Sequence, residues 1–430
     1  MVDIASRVYN HQWKIDPIVR SLIDTDFYKL LMCQSVLRNR PKTQVTFSLF
    51  NRAKHIPLAR LIDAGEIREQ LDHIRSLSLR RGESTWLRGN TFYGKRQMFT
   101  PEFMEWFETV RLPPYHLEQH DDQYILTFEG SWPEVMLWEV PALAVFMELR
   151  GRSVLSQMVK FEIEILYARA MTKLWEKVQK LSPHKSLRIA DFGTRRRHSF
   201  LWHDWCVQAM VEGLGESFVG TSNCLIAKNR DLEAIGTNAH ELPMIYAALT
   251  DTDTELLEAP YGVLSDWHEE HDGNLRIILP DTFGSKGFLD KAPDWLQQWT
   301  GVRIDSGDPA EGAETAIRWW QQRGENPAEK LIIFSDGLDV DKILELSQQF
   351  ANRVKVSFGW GTLLTNDFRG LTADDCLAPF SLVCKPVSAN GRPTVKLSDN
   401  PNKAMGPGSE VERYRRLFAV GEQTAYDIIV

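Results

Sequence analysis

Six short apolar runs, at 187–190, 218–219, 275–279, 302–304, 331–334 and 354–357, each lead into a turn of small or polar residues. Helical stretches such as 309–323 and 340–349 fill several of the gaps. Strand, loop and helix in alternation imply a parallel sheet covered by helices, because a parallel neighbour needs a crossover long enough to carry the chain back. Six such units favour closure into a β/α barrel over an open sheet. At a barrel's rim, strand ends empty into loops whose backbone N–H groups can grip anions. The turns around Gly193, Gly220, Gly236, Gly307, Gly337 and Gly359 therefore mark the candidate site. So many loops built to approach phosphate suggest a phosphorylated sugar as ligand.

The flanks have a different texture. Residues 1–135 read as an α+β module. A helix is expected over 24–38, capped by Asp24 or Thr25, with Tyr28, Leu31, Met32, Ser35 and Val36 at helical spacing. A strand is expected over 44–50 with Val45, Phe47 and Leu49 on one face, helices over 56–77 and 101–109, and a strand over 124–129. Residues 136–384 form the barrel section, opened by long helical runs at 143–150 and 156–181. The segment 385–430 reads as short strands at 385–387, 394–397 and 414–418 that fold back onto the first module.

Composition excludes several classes. A net charge of −8 argues against broad attraction to nucleic acid. The five cysteines include no CxxC pair and are odd in number, which reads as reduced thiols in a cytoplasmic protein and speaks against a zinc site. No uncharged apolar stretch reaches a membrane span's length, and the first ten residues lack a leader's apolar core. His268-Glu269-Glu270-His271 has its histidines three apart, whereas the zincin pattern needs four, so it reads as a solvated turn. His203-Asp204 between two tryptophans reads as helix packing.

Several constellations can carry chemistry. Asp191-Phe192-Gly193-Thr194-Arg195-Arg196-Arg197 brings an aromatic ring and three cations to one strand end, where a guanidinium can fork onto phosphate or carboxylate and Phe192 can stack a flat ring. Alternation places Arg303 and Asp305 on the same side of a strand, opposite Val302 and Ile304, which suits a sugar carrying hydroxyls and phosphate. Ser335-Asp336-Gly337 and Ser357-Phe358-Gly359-Trp360-Gly361 read as a phosphate corner at the late strands. His240 follows a small-residue turn and stands open as general base, phosphate ligand or nucleophile. Lys385, Arg392, Lys396 and Lys403 either close over a polyphosphate or face water. No carboxylate pair recommends glycoside hydrolysis.

Taken in order, Leu22 to Lys29, Phe192 to Arg196, Gly220 to Asn223, Gly236 to Glu241, Arg303 to Pro309, Phe358 to Thr362 and Lys396 to Gly408 closely resemble the nicotinate phosphoribosyltransferase family of the bacterial and fungal type, over nearly the whole length. The resemblance implies an irregular β/α barrel with an N-terminal α+β domain, a homodimer, and transfer of phosphoribose from phosphoribosyl pyrophosphate to nicotinate with Mg²⁺. It implies coupling to ATP hydrolysis through a phosphorylated histidine, at His240. It assigns Phe192 and Tyr28 to the two faces of the pyridine, Tyr28 reaching in from the neighbouring subunit. Arg195 is placed near the base and phosphates, and Arg303 and Asp305 near the ribose. Thr221 and Ser222 are assigned to the substrate, and Gly337, Gly359 and Gly361 to the phosphate corner. Ser222 falls where the nicotinamide-using relatives carry aspartate. A neutral side chain there removes repulsion toward a carboxylate, which favours the acid over the amide. A sugar-phosphate sensor without turnover is the rival of another class.

Overall fold

The computed structural model describes residues 17–271, 275–421 and 423–428. The opening ten residues, read above as lacking a leader's core, lie outside them. Helix α1 (Phe27–Asn39) starts later than the spacing predicts, at Asp26. Asp24 does not cap it because its carboxylate is engaged elsewhere, by Arg197 Nη1 at 2.6 Å and Asn223 Nδ2 at 2.8 Å. Asp26 and Asn223 also form an isolated bridge, so the start of α1 is stitched to the barrel section.

Strand β1 (Gln44–Asn51) buries Val45, Phe47 and Leu49 on one face, as its alternation requires. A small hairpin of β2 (Thr91–Phe92) and β3 (Lys95–Arg96) stands apart. Helix Pro101–Thr109 begins on the proline, with Thr100 accepting from Phe103 N. Strands β4 (Tyr115–His120) and β5 (Gln123–Ser131) extend the antiparallel sheet. The region 56–77 is two helices, Leu58–Leu61 and Ala64–Ser76, with Asp63 capping the second. Helices α2 (Glu139–Leu155) and α3 (Lys160–Leu181) lead into the barrel.

Six parallel strands follow: β6 (Ile189–Asp191), β7 (Phe218–Thr221), β8 (Ile277–Ile278), β9 (Gly301–Ile304), β10 (Leu331–Phe334) and β11 (Lys355–Trp360). They pair in the order β7-β6-β11-β10-β9-β8. Among the described residues no ladder joins β8 to β7. The segment 233–238 spans that gap instead. Thr221 bonds Glu233 O and Ile235 N on the β7 side, and Asn238 Nδ2 donates to Ile277 O on the β8 side. The barrel is irregular because this stretch, rich in small and polar residues, takes the place of a strand.

Four expectations are corrected here. The run 357–361 was read as a glycine loop, but β11 continues through Gly359 and Trp360 because Phe358, Gly359 and Trp360 pair with β6. The tail residues 414–417 are helical, within Gly408–Leu417, and Phe418 follows as the cap, where Phe283 stacks on it at 4.6 Å. His271 is not in a solvated turn: helix Asp253–Glu270 delivers it to the interior, where Nε2 meets Leu31 O at 2.9 Å. Residues 394–397 hold only the bridge Lys396–Met405.

Strand β12 (Leu382–Ala389), followed by β13 (Arg392–Pro393), pairs antiparallel with β1 in the register Leu49–Cys384 and Ser48–Lys385. The antiparallel sheet thus runs β13-β12-β1-β5-β4. The five cysteines are unpaired, and among the described residues no helix is long and apolar enough to cross a membrane.

Candidate active site

One cavity opens at the carboxyl ends of the parallel strands, with α1, α2 and β12 forming its other wall. Phe192 leaves β6 into it and is half-buried, its ring free of the sealed core. The ring lies against Gly359, where a Cβ would stand 2.3 Å from Phe192 Cδ2. Gly359 therefore seats the ring, and the expectation of a phosphate loop at this residue is replaced by a packing role. Gly361 does line the cavity. Gly359→Ala is expected to push the ring off its seat. An overpacking strain of about 1–3 kcal/mol is expected to weaken binding of a flat ring against Phe192 about tenfold. Calorimetric titration of the unaltered protein and the variant with a flat aromatic acid checks it.

Tyr28 lines the cavity of its own chain, in correction of the expectation that it reaches a neighbour's site. The stitching of α1 to Ser222–Cys224 holds it there: Phe27 N donates to Ser222 O at 2.7 Å. Gly236 leaves room for it, since a Cβ at 236 would sit 2.6 Å from Tyr28 N.

The three consecutive arginines go three ways. Arg197 is fully buried on Asp24 and Ile18 O and does not reach the cavity. Arg196 lines it near Leu382 O, and burial, with Arg195 and Arg52 nearby, brings its guanidinium down to about 10. Arg195 stands over the Tyr28 ring at 5.7 Å, with Nη1 3.4 Å from Glu139 and Nε 3.6 Å from Asp26.

Ser222 donates to Asp26 Oδ1 at 2.6 Å. The pocket thus holds a carboxylate after all, and the neutrality of Ser222 does not by itself explain a preference for an acid. Burial raises the Asp26 carboxyl, against the pull of Arg195 and Ser222. Thr221, expected to touch substrate, is fully buried instead. Its hydroxyl and the His203 ring both bond Asp191 Oδ2 at 2.5 Å, while Asp191 Oδ1 accepts from Gly193 N. This trio fixes the turn that follows Phe192. Asp26, Glu139 and Lys29 were not singled out in the sequence as site residues.

At the other end His240 precedes helix α4 (Glu241–Ala248). Its Nδ1 lies 3.0 Å from Thr282 Oγ1 and its Nε2 2.9 Å from Asp305 Oδ2. Burial, with Lys396 nearby, lowers the imidazole to about 4 despite Asp281 and Asp305. The ring is neutral at pH 7, with a lone pair available. Burial alone would raise Asp305, but Arg303, His240 and Lys403 hold it well below the usual carboxylate range. Ser335 Oγ donates to Asp305 Oδ1 at 2.6 Å. Arg303 also ties the histidine segment to β9 through Thr237 Oγ1 and Asn238 O. Gly337, at φ 58°, turns the chain at the cavity wall beside Asp336. Lys403 reaches Asp336 at 2.6 Å and Asp305 O at 3.1 Å, and burial lowers Lys396 to about 8. Lys385, Lys396 and Lys403 line the cavity, whereas Arg392 pairs with Asp251 outside it.

The low His240 value has a testable sign. An unfolded imidazole takes its proton near 6.5 and the folded one near 4, so the unfolded chain binds more protons between those values. This residue's contribution to stability is complete above pH 6.5 and shrinks as pH falls toward 4. An NMR titration of the His240 ring is expected to show its midpoint near 4, not near 6.5.

Comparison with known proteins gives one answer throughout. Residues 187–422 match the nicotinate phosphoribosyltransferase (NAPRTase) family model, and 23–146 match that family's N-terminal domain. The crystal structure of a nicotinate phosphoribosyltransferase from Vibrio cholerae superposes with a TM-score of 0.83 at 29% identity, covering 97% of this chain and 96% of that one. One from Porphyromonas gingivalis gives 0.82 at 26%, covering 94% and 100%. With both family models matched in order and the barrel, cavity and N-terminal sheet in place, this chain belongs to the nicotinate phosphoribosyltransferase family.

Proposed function

We propose that the chain transfers phosphoribose from phosphoribosyl pyrophosphate to nicotinate, forming nicotinate mononucleotide, the entry to NAD from nicotinate, and that ATP hydrolysis drives the transfer through phosphorylated His240. One observation carries the reading: a single cavity joins an aromatic and cationic end, at Tyr28, Phe192 and Arg195, to an end holding His240, Asp305, Asp336, Lys396 and Lys403.

In the transfer, the pyridine nitrogen bonds to C1 of ribose as the C1–O bond to pyrophosphate breaks, with both electrons leaving on the pyrophosphate. Positive charge develops on the ribose, as in other glycosyl transfers. Phe192 and Tyr28 hold the ring so that its nitrogen faces C1. Arg195 takes the carboxylate. Asp305, kept ionised, faces the ribose hydroxyls and the developing charge. No strong base is needed, because the ring nitrogen is unprotonated near neutral pH. Lys396 and Lys403 receive the leaving pyrophosphate.

Mg²⁺ fits this end. Burial, with Asp305 nearby, raises the Asp336 carboxyl despite Lys403, so a cation there would relieve both acids, and Mg²⁺ binds through one or two carboxylates plus phosphate oxygens. Bound there, it would neutralise charge on the polyphosphate.

In the coupling step the imidazole attacks the terminal phosphorus of ATP, an N–P bond forms, a P–O bond breaks and ADP departs. Asp305, against Nε2, holds the ring's proton. Water later cleaves the N–P bond. The test is a product assay with nicotinate and phosphoribosyl pyrophosphate, with and without ATP. Mononucleotide formation stimulated by ATP is expected. Binding without product would instead indicate a sensor.

A further inference from the structure

The aromatic end of the cavity is an ionic cluster, and its balance depends on a residue far along the chain. Glu139, from α2, is 2% exposed. Its Oε1 accepts from Lys385 Nζ at 3.0 Å and faces Arg195 Nη1 at 3.4 Å. Its Oε2 meets Lys29 Nζ at 2.5 Å, and Lys29 also pairs with Glu241. Asp26 completes the group, 3.6 Å from Arg195. Three acids, Asp26, Glu139 and Glu241, are thus matched by three cations, Lys29, Lys385 and Arg195. Lys29 is sealed between its two partners at 0% exposure. Lys385 and Arg195 both lie on the cavity wall, within 3.4 Å of the same carboxylate oxygen.

Arg195 alone would not make this end attractive to an anion. One guanidinium facing Asp26 and Glu139 leaves an excess of negative charge, which repels a ring carboxylate at a few ångströms. Of the other cavity cations, Arg196 turns its Nε to Leu382 O beside Arg52, and Lys396 and Lys403 are committed to the other end, beside Asp305 and Asp336. Lys385 is placed on β12 opposite Ser48 by the register of that strand on β1, so the returning tail delivers it to the aromatic end.

We propose that Lys385 is a specificity-determining residue, which with Arg195 neutralises the acids around the ring site and so makes a carboxylate-bearing ring preferred over its uncharged amide. The inference rests on nicotinate being the accepted ring. Ser222 then serves as the hydrogen-bond donor that satisfies Asp26, and the discrimination comes from charge balance.

The experiment compares Lys385→Met and Lys385→Arg with the unaltered enzyme. For each, KM and kcat for nicotinate, KM for phosphoribosyl pyrophosphate, and Ki of nicotinamide as a competitor are measured. In Lys385→Met, KM for nicotinate is expected to rise about tenfold or more at nearly constant kcat, while Ki for nicotinamide stays or falls. Lys385→Arg is expected to restore most of the acid preference. The proposal is overturned if KM for nicotinate and Ki for nicotinamide rise together, if only the phosphoribosyl pyrophosphate KM moves, if none moves, or if the arginine variant behaves like the methionine one. Failure of the unaltered enzyme to convert nicotinate would instead sink the functional reading itself.

Discussion

His240→Ala is expected to retain slow transfer without ATP and to lose all stimulation by ATP. The neutral imidazole lies between the carboxylates Asp281 and Asp305 with Lys396 nearby, and alanine offers no site for a phosphoryl group. Aromatic binding should survive, because Tyr28, Phe192 and Arg195 do not lean on the imidazole. A phosphoryl group on the ring is coupled to substrate affinity by charge, and such couplings amount to about 1–3 kcal/mol, or about 5–150-fold. That factor, read as the ATP-dependent change in KM for phosphoribosyl pyrophosphate, should collapse to unity in the variant. Incubation with γ-labelled ATP should label the unaltered protein and leave the variant unlabelled. Undiminished stimulation would remove His240 from the coupling scheme.

Lys29→Met should be the most damaging single change to stability. Lys29 is wholly buried and serves Glu139 and Glu241 together. Without it Glu139 keeps Lys385 and Arg195, but among the described residues Glu241 keeps only the Trp132 indole N–H at 2.7 Å. Removing one partner from a buried ion pair costs about 3–5 kcal/mol, because the other charge remains desolvated. Burial already raises the Glu241 carboxyl despite Lys29. In the variant it must take up a proton to stay inside. A folded-state value above the unfolded one favours the fold at low pH, and that advantage disappears as pH rises through it. Urea unfolding should therefore show a larger deficit at pH 7.5 than at pH 5. Adding Glu241→Gln should recover much of the loss. An equal deficit at both pH values would mean that packing, not charge, is responsible.

What the sequence disclosed, and what it hid, follows from where information is local. Strand β10 and helix Pro101–Thr109 fall where expected, because an apolar run or a capped proline start decides each within a few residues. The rim turns and His240 were legible for the same reason. Gly359 misled because glycine marks a close approach as readily as a turn, and only the folded chain shows that the approaching group is Phe192. Thr221 misled because alternate residues at a strand end face opposite ways, and it turns inward to Asp191. Lys29 and Glu139 carried a usable signal: Lys29 is the one charge within 27–37 and Glu139 the one within 135–147, and buried charges of that kind come paired. Their partners lie more than fifty residues away, so pairing could not be read from spacing. The tail helix was missed because alternation and helical spacing coincide over only five residues.

Strand β12 has a consequence for synthesis. β1 lies between β5 and β12, and its second neighbour is encoded more than 330 residues later. Until Leu382–Ala389 leaves the ribosome, the edge of β1 away from β5 offers an unpaired row of amides and carbonyls. Such a row is a template for joining another nascent chain. Prematurely terminated products that stop short of Leu382 should therefore be recovered as aggregates, and the nascent protein should depend on chaperones until its last tenth has been made.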